Sequence, residues 1–319
     1  VVHYVETDVR PDIEIAPARS VKNAVTDLAA GFTIETTPGS AAKIDDYRAY
    51  LRSGATVAVT FLPGSDFANT IATAARLRRE GFEPVPHLAG RSIPSRSHLE
   101  DWLARLTGEA GATRAVVLAG AVAQPLGPFA SSMDVLESGL LDRHGFTRIA
   151  VAGHPEGNPD IADEAIAEAL TWKNDFAQRS DADFEIVTQF VFEAAAIIAW
   201  DRAIRAAGNA LPVRVGLPGL ATLKTLIGHA RACGIGPSMQ YLLKQARNIR
   251  KLMTVSAPDR LVTDLARYRM SEPESCIQGV HLYPLGGLRR SAAWSYAVAD
   301  GAFSLSPDDS GFVIDRPID

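Results

Sequence analysis

Eight times along this chain, a short run rich in β-branched and aromatic residues leads into a longer run with helical spacing. No other feature restricts the fold as much. Strands are expected over 31–36, 56–62, 83–88, 113–121, 148–153, 184–192, 212–217 and 279–285. Helices are expected over 43–52, 66–79, 97–108, 131–141, 160–178, 194–207, 221–233, 236–253, 259–268 and 288–299. A strand that returns through a helix comes back parallel, whereas a hairpin can only bring it back antiparallel. Eight such units with no long linker predict a single (β/α)8 TIM barrel. The rival, a doubly wound open sheet, would usually show a glycine-rich dinucleotide fingerprint after its first strand. Here that strand is followed by Thr36-Thr37-Pro38-Gly39-Ser40. Residues 1–30 are irregular, with one helical patch near 20–30. They are expected to form an N-terminal arm on a barrel spanning 31–319.

One unit carries most of the chemistry. Residues 148–153 run into Gly153-His154-Pro155-Glu156-Gly157-Asn158-Pro159, and the strand after the 160–178 helix contains Val187-Thr188-Gln189-Phe190. Parallel strands place their C-terminal ends on one side, so His154, Glu156 and Asn158 leave the sheet beside Thr188 and Gln189. Polar side chains inside a buried strand are unfavourable unless hydrogen-bonded. A ligand at the strand ends is the simplest partner.

Charge and cysteine usage narrow the classes. Hydrophobic residues make up 47% of the 319, enough for a large core, and no apolar run approaches a bilayer-spanning length. The start, Val1-Val2-His3-Tyr4, lacks the basic-then-apolar pattern of a signal peptide. Cys233 and Cys276 are the two cysteines, too far apart in sequence to suggest a disulfide framework or a zinc cluster. The net charge of −5 is mild and dispersed, which argues against a nucleic-acid partner. A soluble cytoplasmic protein is expected.

In a (β/α)8 barrel the reacting groups sit at the C-terminal ends of the strands. Those ends supply Glu35, Thr60, His87, Gly120-Ala121, His154 with Asn158, Gln189, Gly216 to Gly219, and His281 with Tyr283. The set holds one carboxylate well placed as an acid and several hydrogen-bonding groups. Three histidines could in principle bind zinc, but no carboxylate completes an obvious set, and no metal is expected.

Ile34-Glu35-Thr36-Thr37-Pro38, Val57-Ala58-Val59-Thr60, Pro86-His87-Leu88, the His154 segment, Thr188-Gln189-Phe190 and Gly216-Leu217-Pro218-Gly219 occur in this order. Over roughly 31–301 the chain resembles the methylenetetrahydrofolate reductases. The resemblance implies a barrel with non-covalent FAD. Hydride would pass from NADH or NADPH to the flavin and on to 5,10-methylenetetrahydrofolate, giving 5-methyltetrahydrofolate in one-carbon metabolism and methionine biosynthesis.

By the same resemblance Glu35 is the general acid for the folate's leaving N10. That role at neutral pH calls for a water-poor site that raises its pKa. Gln189 would hydrogen-bond the pterin, and Tyr283 would lie near the folate. Thr60, His87, Leu118, Gly120, Ala152 and His154 would line the flavin. Lys173 would reach its phosphates, which are expected near the start of the 160–178 helix, where backbone N–H groups favour anions.

Three positions depart from the family. Ala121 stands where an aspartate usually follows the glycine. Asn158 replaces a second histidine, and His229 falls where an aromatic residue often covers the stacked substrate. The reaction is expected to run as reduction, or in reverse within a demethylation pathway. The alternative is a flavin-free or non-redox folate-binding paralogue or partner subunit. An arm of the kind expected at 1–30 suits packing on a neighbouring copy, so a homo-oligomer stays open.

Overall fold

The computed structural model describes residues 20–232, 255–308 and 310–318. The helix expected over 236–253 lies outside the described residues. Eight strands are β1 (Thr33–Thr36), β2 (Thr56–Val59), β3 (Glu83–Ala89), β4 (Arg114–Leu118), β5 (Arg148–Gly153), β6 (Asp183–Phe190), β7 (Val213–Pro218) and β8 (Ile277–Tyr283). They close into a barrel in the order β1-β8-β7-β6-β5-β4-β3-β2. Neighbouring strands are parallel throughout. The protein is a (β/α)8 barrel. Among the described residues, no helix is long and apolar enough to cross a membrane.

Alternation along each strand separates two interiors. Ile34, Val57, Val59, Val117 and Val151 point outward, fully buried beneath the helices. Ala58, Val85, Val116 and Ala150, with Leu118 and Val187 against them, form a separate cluster that fills the lumen with small side chains. The helical layer includes α1 (Val21–Ala29), α2 (Pro38–Ala41), α3 (Phe67–Arg79), α4 (Arg96–Ala110), α5 (Ser132–Glu137), α6 (Leu140–Arg143), α7 (Asp163–Gln178), α8 (Ala194–Ala206), α9 (Leu223–Ala232), α10 (Asp259–Ser271) and α11 (Leu288–Ala299). α4 shows the logic: Leu99, Leu103 and Leu106 recur on one face and are fully buried. Each such side chain stabilises by about 1.5–3 kcal/mol. Ser95 accepts from the His98 amide to start this helix, and Gly111, at φ 56°, stops it.

Several local expectations change. α1 is no part of a loose arm: Val25 and Leu28 are fully buried, and the helix packs against α10, α11 and β8. The helix expected over 43–52 is instead the four-residue α2 and a 3-10 turn, Tyr47–Ala49. The Arg76 guanidinium reaches over from α3 and takes the carbonyls of Ala41, Ile44 and Asp45, which a continuing helix would need for itself. The 131–141 helix breaks into α5 and α6 at Gly139, whose φ of 67° no helix accommodates. β4 ends at Leu118, three residues earlier than expected, because Gly120 turns the chain at φ 89°.

Candidate active site at the barrel mouth

Glu35 stands at the C-terminal end of the lumen, with its side chain 14% exposed. Its place follows from strand parity: Ile34 and Thr36 pack outward and are buried, so Thr33 and Glu35 face in. It does not cap the helix that follows, since Thr37 caps α2 by accepting from the Ser40 amide. The Glu35 Oε2 lies 3.6 Å from His281 Nε2 on the adjacent β8, and His281 is itself buried. Thr33 Oγ1 sits 2.7 Å from the other ring nitrogen, Nδ1. With the hydroxyl donating to Nδ1, the ring carries its proton on Nε2, directed at the carboxylate. Glu35 Oε2 and Thr60 Oγ1 are both buried without a hydrogen-bond partner. Leaving such atoms unsatisfied costs about 1–3 kcal/mol each.

The electrostatics overturn one expectation. Burial pushes the Glu35 carboxyl up, but the neighbouring groups, His281 foremost with smaller contributions from His87 and Thr60, together outweigh it and hold the carboxyl below its ordinary value. Glu35 is therefore ionised at neutral pH, where a raised pKa was expected. His87, two strands away across the lumen, is brought down to about 4 by desolvation, against the attraction of Glu35. His154 is likewise brought down to about 4 by burial, with the charge of Lys173 adding to it. Both imidazoles are neutral at pH 7.

Thr188 needs no ligand. Its hydroxyl donates to the Gln189 carbonyl at 2.8 Å and accepts from the Gly216 amide at 2.9 Å, where the β6–β7 register shifts. The bulge re-aims Gln189, whose side chain is half-buried. Tyr283 faces the same mouth, and its hydroxyl donates to the Thr188 carbonyl at 2.8 Å. That reach from β8 past β7 to β6 crosses the lumen and braces the bulge. The Tyr283 ring also meets Phe190 and His281 edge-on.

His87, Leu118 and Ala152 lie within the last residues of their strands at the same end of the barrel, with Thr60, Gly120 and His154 just beyond theirs. A Cβ at Gly120 would come 3.0 Å from the Ala89 Cβ, so the wall there is close-packed and must stay glycine. Ala121 is exposed at the rim. The Asn158 Oδ1 accepts from the Asp160 amide, which shapes the loop and leaves its Nδ2 as the donor on offer.

Lys173 is not a solvated helix residue. It is buried on the inner face of α7, with Nζ 3.2 Å from the Ala152 carbonyl, and desolvation brings its pKa to about 8. The start of α7, expected to hold phosphates, carries Asp163 and Glu164 in its first turn. Those carboxylates already satisfy the dipole and repel a second anion. His229 falls on α9, and its side chain lies outside the described residues.

The sequence placed His281 at a strand end without a role and overlooked Thr33. Their signal is parity: Thr33 lies two residues before Glu35, and His281 two before Tyr283, so each shares its partner's face. Among the described residues, no three His, Cys, Asp or Glu side chains are grouped to hold a metal ion.

No protein-family model matches the chain. Among solved structures, it is similar to a protein from Burkholderia cenocepacia J2315 described as a lyase/mutase. That match has 15% identity and a TM-score of 0.33, and covers 89% of this chain and 84% of the other. It is also similar to a dehydrogenase/reductase from Sinorhizobium meliloti 1021, with 13% identity and a TM-score of 0.27, covering 83% and 100%.

Proposed function

We propose that the protein is an enzyme of the methylenetetrahydrofolate reductase type, interconverting 5,10-methylenetetrahydrofolate and 5-methyltetrahydrofolate with FAD and NADH or NADPH. The observation that carries this reading is the desolvated Glu35 carboxylate, with an orphaned oxygen, at the same mouth as Gln189. The amide of Gln189 offers the paired donor and acceptor that a pterin edge requires.

A flavin ring would lie against the residues around the opening. Thr60 and His87 would line one side, and Leu118, Gly120 and Ala152 the wall, with His154 at the edge. The buried Lys173 ammonium would supply positive charge toward the phosphates, a task that the acidic start of α7 cannot serve. A bound flavin supplies the hydride relay between nicotinamide and one-carbon unit. The protein's own contribution is to position the pterin, exclude water and exchange one proton with N10.

Glu35 makes that exchange. As the resting carboxylate it is ready to take a proton from N10–H, the step required when methyltetrahydrofolate is oxidised and its ring closes. In the reductive direction it must first be loaded with a proton. Docking of the pterin removes the remaining water and favours the neutral acid. His281, held at Nδ1 by Thr33, orients the carboxylate in both directions.

Protein purified under mild conditions should absorb in two bands between about 350 and 500 nm, or gain them on adding FAD. Glu35→Gln should slow the folate half-reaction by about 10²–10⁴-fold while leaving flavin reduction by NAD(P)H nearly unchanged. Equal losses in both half-reactions would indicate a collapsed pocket. A colourless protein that ignores FAD would favour the rival reading, a flavin-free folate-handling barrel. The acidic first turn of α7 is the observation on that side.

A further inference from the structure

The opposite end of the lumen holds charge that the chemistry at the mouth does not use. Arg114 and Arg148 begin β4 and β5 and are direct register partners, so two guanidinium-bearing side chains leave neighbouring strands on the same face. Like charges placed this way repel. Arg214 on β7 and Arg78 on α3 complete four cations around this opening, facing Glu83, Asp183 and Glu185.

The pairing leaves one cation over. Arg78 holds Glu83 through both carboxylate oxygens, at 2.5 and 2.9 Å. Arg214 pairs with Glu185 at 3.3 Å and also donates to the Gly31 carbonyl at 3.0 Å. Arg148 meets Asp183 at 3.7 Å on the exposed rim. Arg114 has no carboxylate within ion-pair distance among the described residues. Among the described residues its one hydrogen bond is a long one, 3.4 Å, to the Thr56 hydroxyl. Thr56 lies on β2 with β3 in between, so this contact crosses the lumen and fixes the Arg114 side chain inside it. Burial, and then the charge of Arg148, depress the Arg114 guanidinium, against the pull of Glu83 and Glu185.

We propose that this lower opening is an anion site that takes a phosphate group between Arg114 and Arg148, with the Thr56 hydroxyl as a neutral donor. A planar guanidinium forks onto two phosphate oxygens, and a second arginine beside it accounts for the doubled charge. The group enters from the N-terminal face of the barrel. Its binding is therefore independent of the folate reading and stands or falls separately from it.

Inorganic phosphate and methyl phosphate serve as probes, each against chloride at matched ionic strength. Binding should broaden the ³¹P resonance. It should also raise the midpoint of thermal unfolding by about 2–4 °C once the probe is roughly tenfold above its dissociation constant. Arg114→Met should abolish both effects, whereas Arg289→Gln at the opposite end should keep them. Should Arg114→Met fail to fold, Arg148→Gln on the exposed rim is the substitute. A response to inorganic phosphate alone identifies the free ion as ligand, and a stronger response to the ester identifies a phosphorylated metabolite. Equal shifts in chloride, or full shifts retained in both arginine variants, would overturn the proposal.

Discussion

Lys173→Met isolates the free energy of one buried charge. In the unfolded chain the ammonium titrates near 10.5, and in the folded protein desolvation brings it to about 8. At 1.36 kcal/mol for each tenfold, holding the charged form inside costs about 3 kcal/mol of stability below pH 8. The sign follows from proton counting. Between pH 8 and 10.5 the unfolded chain keeps the proton and the native protein sheds it, so wild-type stability rises with pH across that window.

Methionine has nearly the same length and carries no charge, so the variant loses this slope. It also leaves the Ala152 carbonyl without its 3.2 Å donor, a fixed offset of about 1–3 kcal/mol. The measurement is the difference in urea-unfolding free energy, variant minus wild type, from pH 7 to 10.5. It should fall by about 3 kcal/mol over that range, and every group common to both proteins cancels. A difference that stays flat with pH would show that the ammonium is hydrated in the native state, and the burial argument would fail. Under the proposed function, the same titration should weaken flavin affinity as pH passes 8 in the wild type but not in the variant.

Two further substitutions probe the site and the scaffold. Ala121→Asp places an acid at the rim. Under the proposed function, a charge-assisted hydrogen bond of about 1.5–3 kcal/mol gained there would change folate affinity roughly ten- to a hundredfold, read by equilibrium titration alongside the flavin potential. Unchanged values of both would show that the rim at Ala121 takes no part in the proposed function. Asp201→Ala removes a fully buried carboxylate that accepts from the Tyr268 hydroxyl at 2.7 Å and the Cys276 amide at 3.0 Å, and pairs with Arg205. Breaking such a buried pair costs about 3–5 kcal/mol, so chemical denaturation should show a loss of that size. A loss below about 1 kcal/mol would mean that the network relaxes onto other partners.

The barrel was legible in the sequence because each of its signals is local. Apolar runs such as Ile149–Val151, and the helical spacing of runs such as 97–108, reveal strands and helices within a few residues. The rule that reacting groups sit at the C-terminal ends of barrel strands then marked Glu35, Thr60, His87 and Tyr283 as residues of one mouth.

What tertiary structure alone decided are the partnerships between residues far apart in the chain. Arg76 stops a helix by taking carbonyls more than thirty residues away. Thr188 is satisfied by the amide of Gly216 across a bulge, which removes the reason to expect a ligand there. Glu35 stays ionised because closing the barrel brings β8 beside β1, and with it His281 beside the carboxylate. A carboxyl's acidity is set by whatever charge and water lie within a few ångströms, and no run of sequence around Glu35 contains that neighbour. Periodicity fixes which way a side chain faces, and only closure of the sheet determines what it meets.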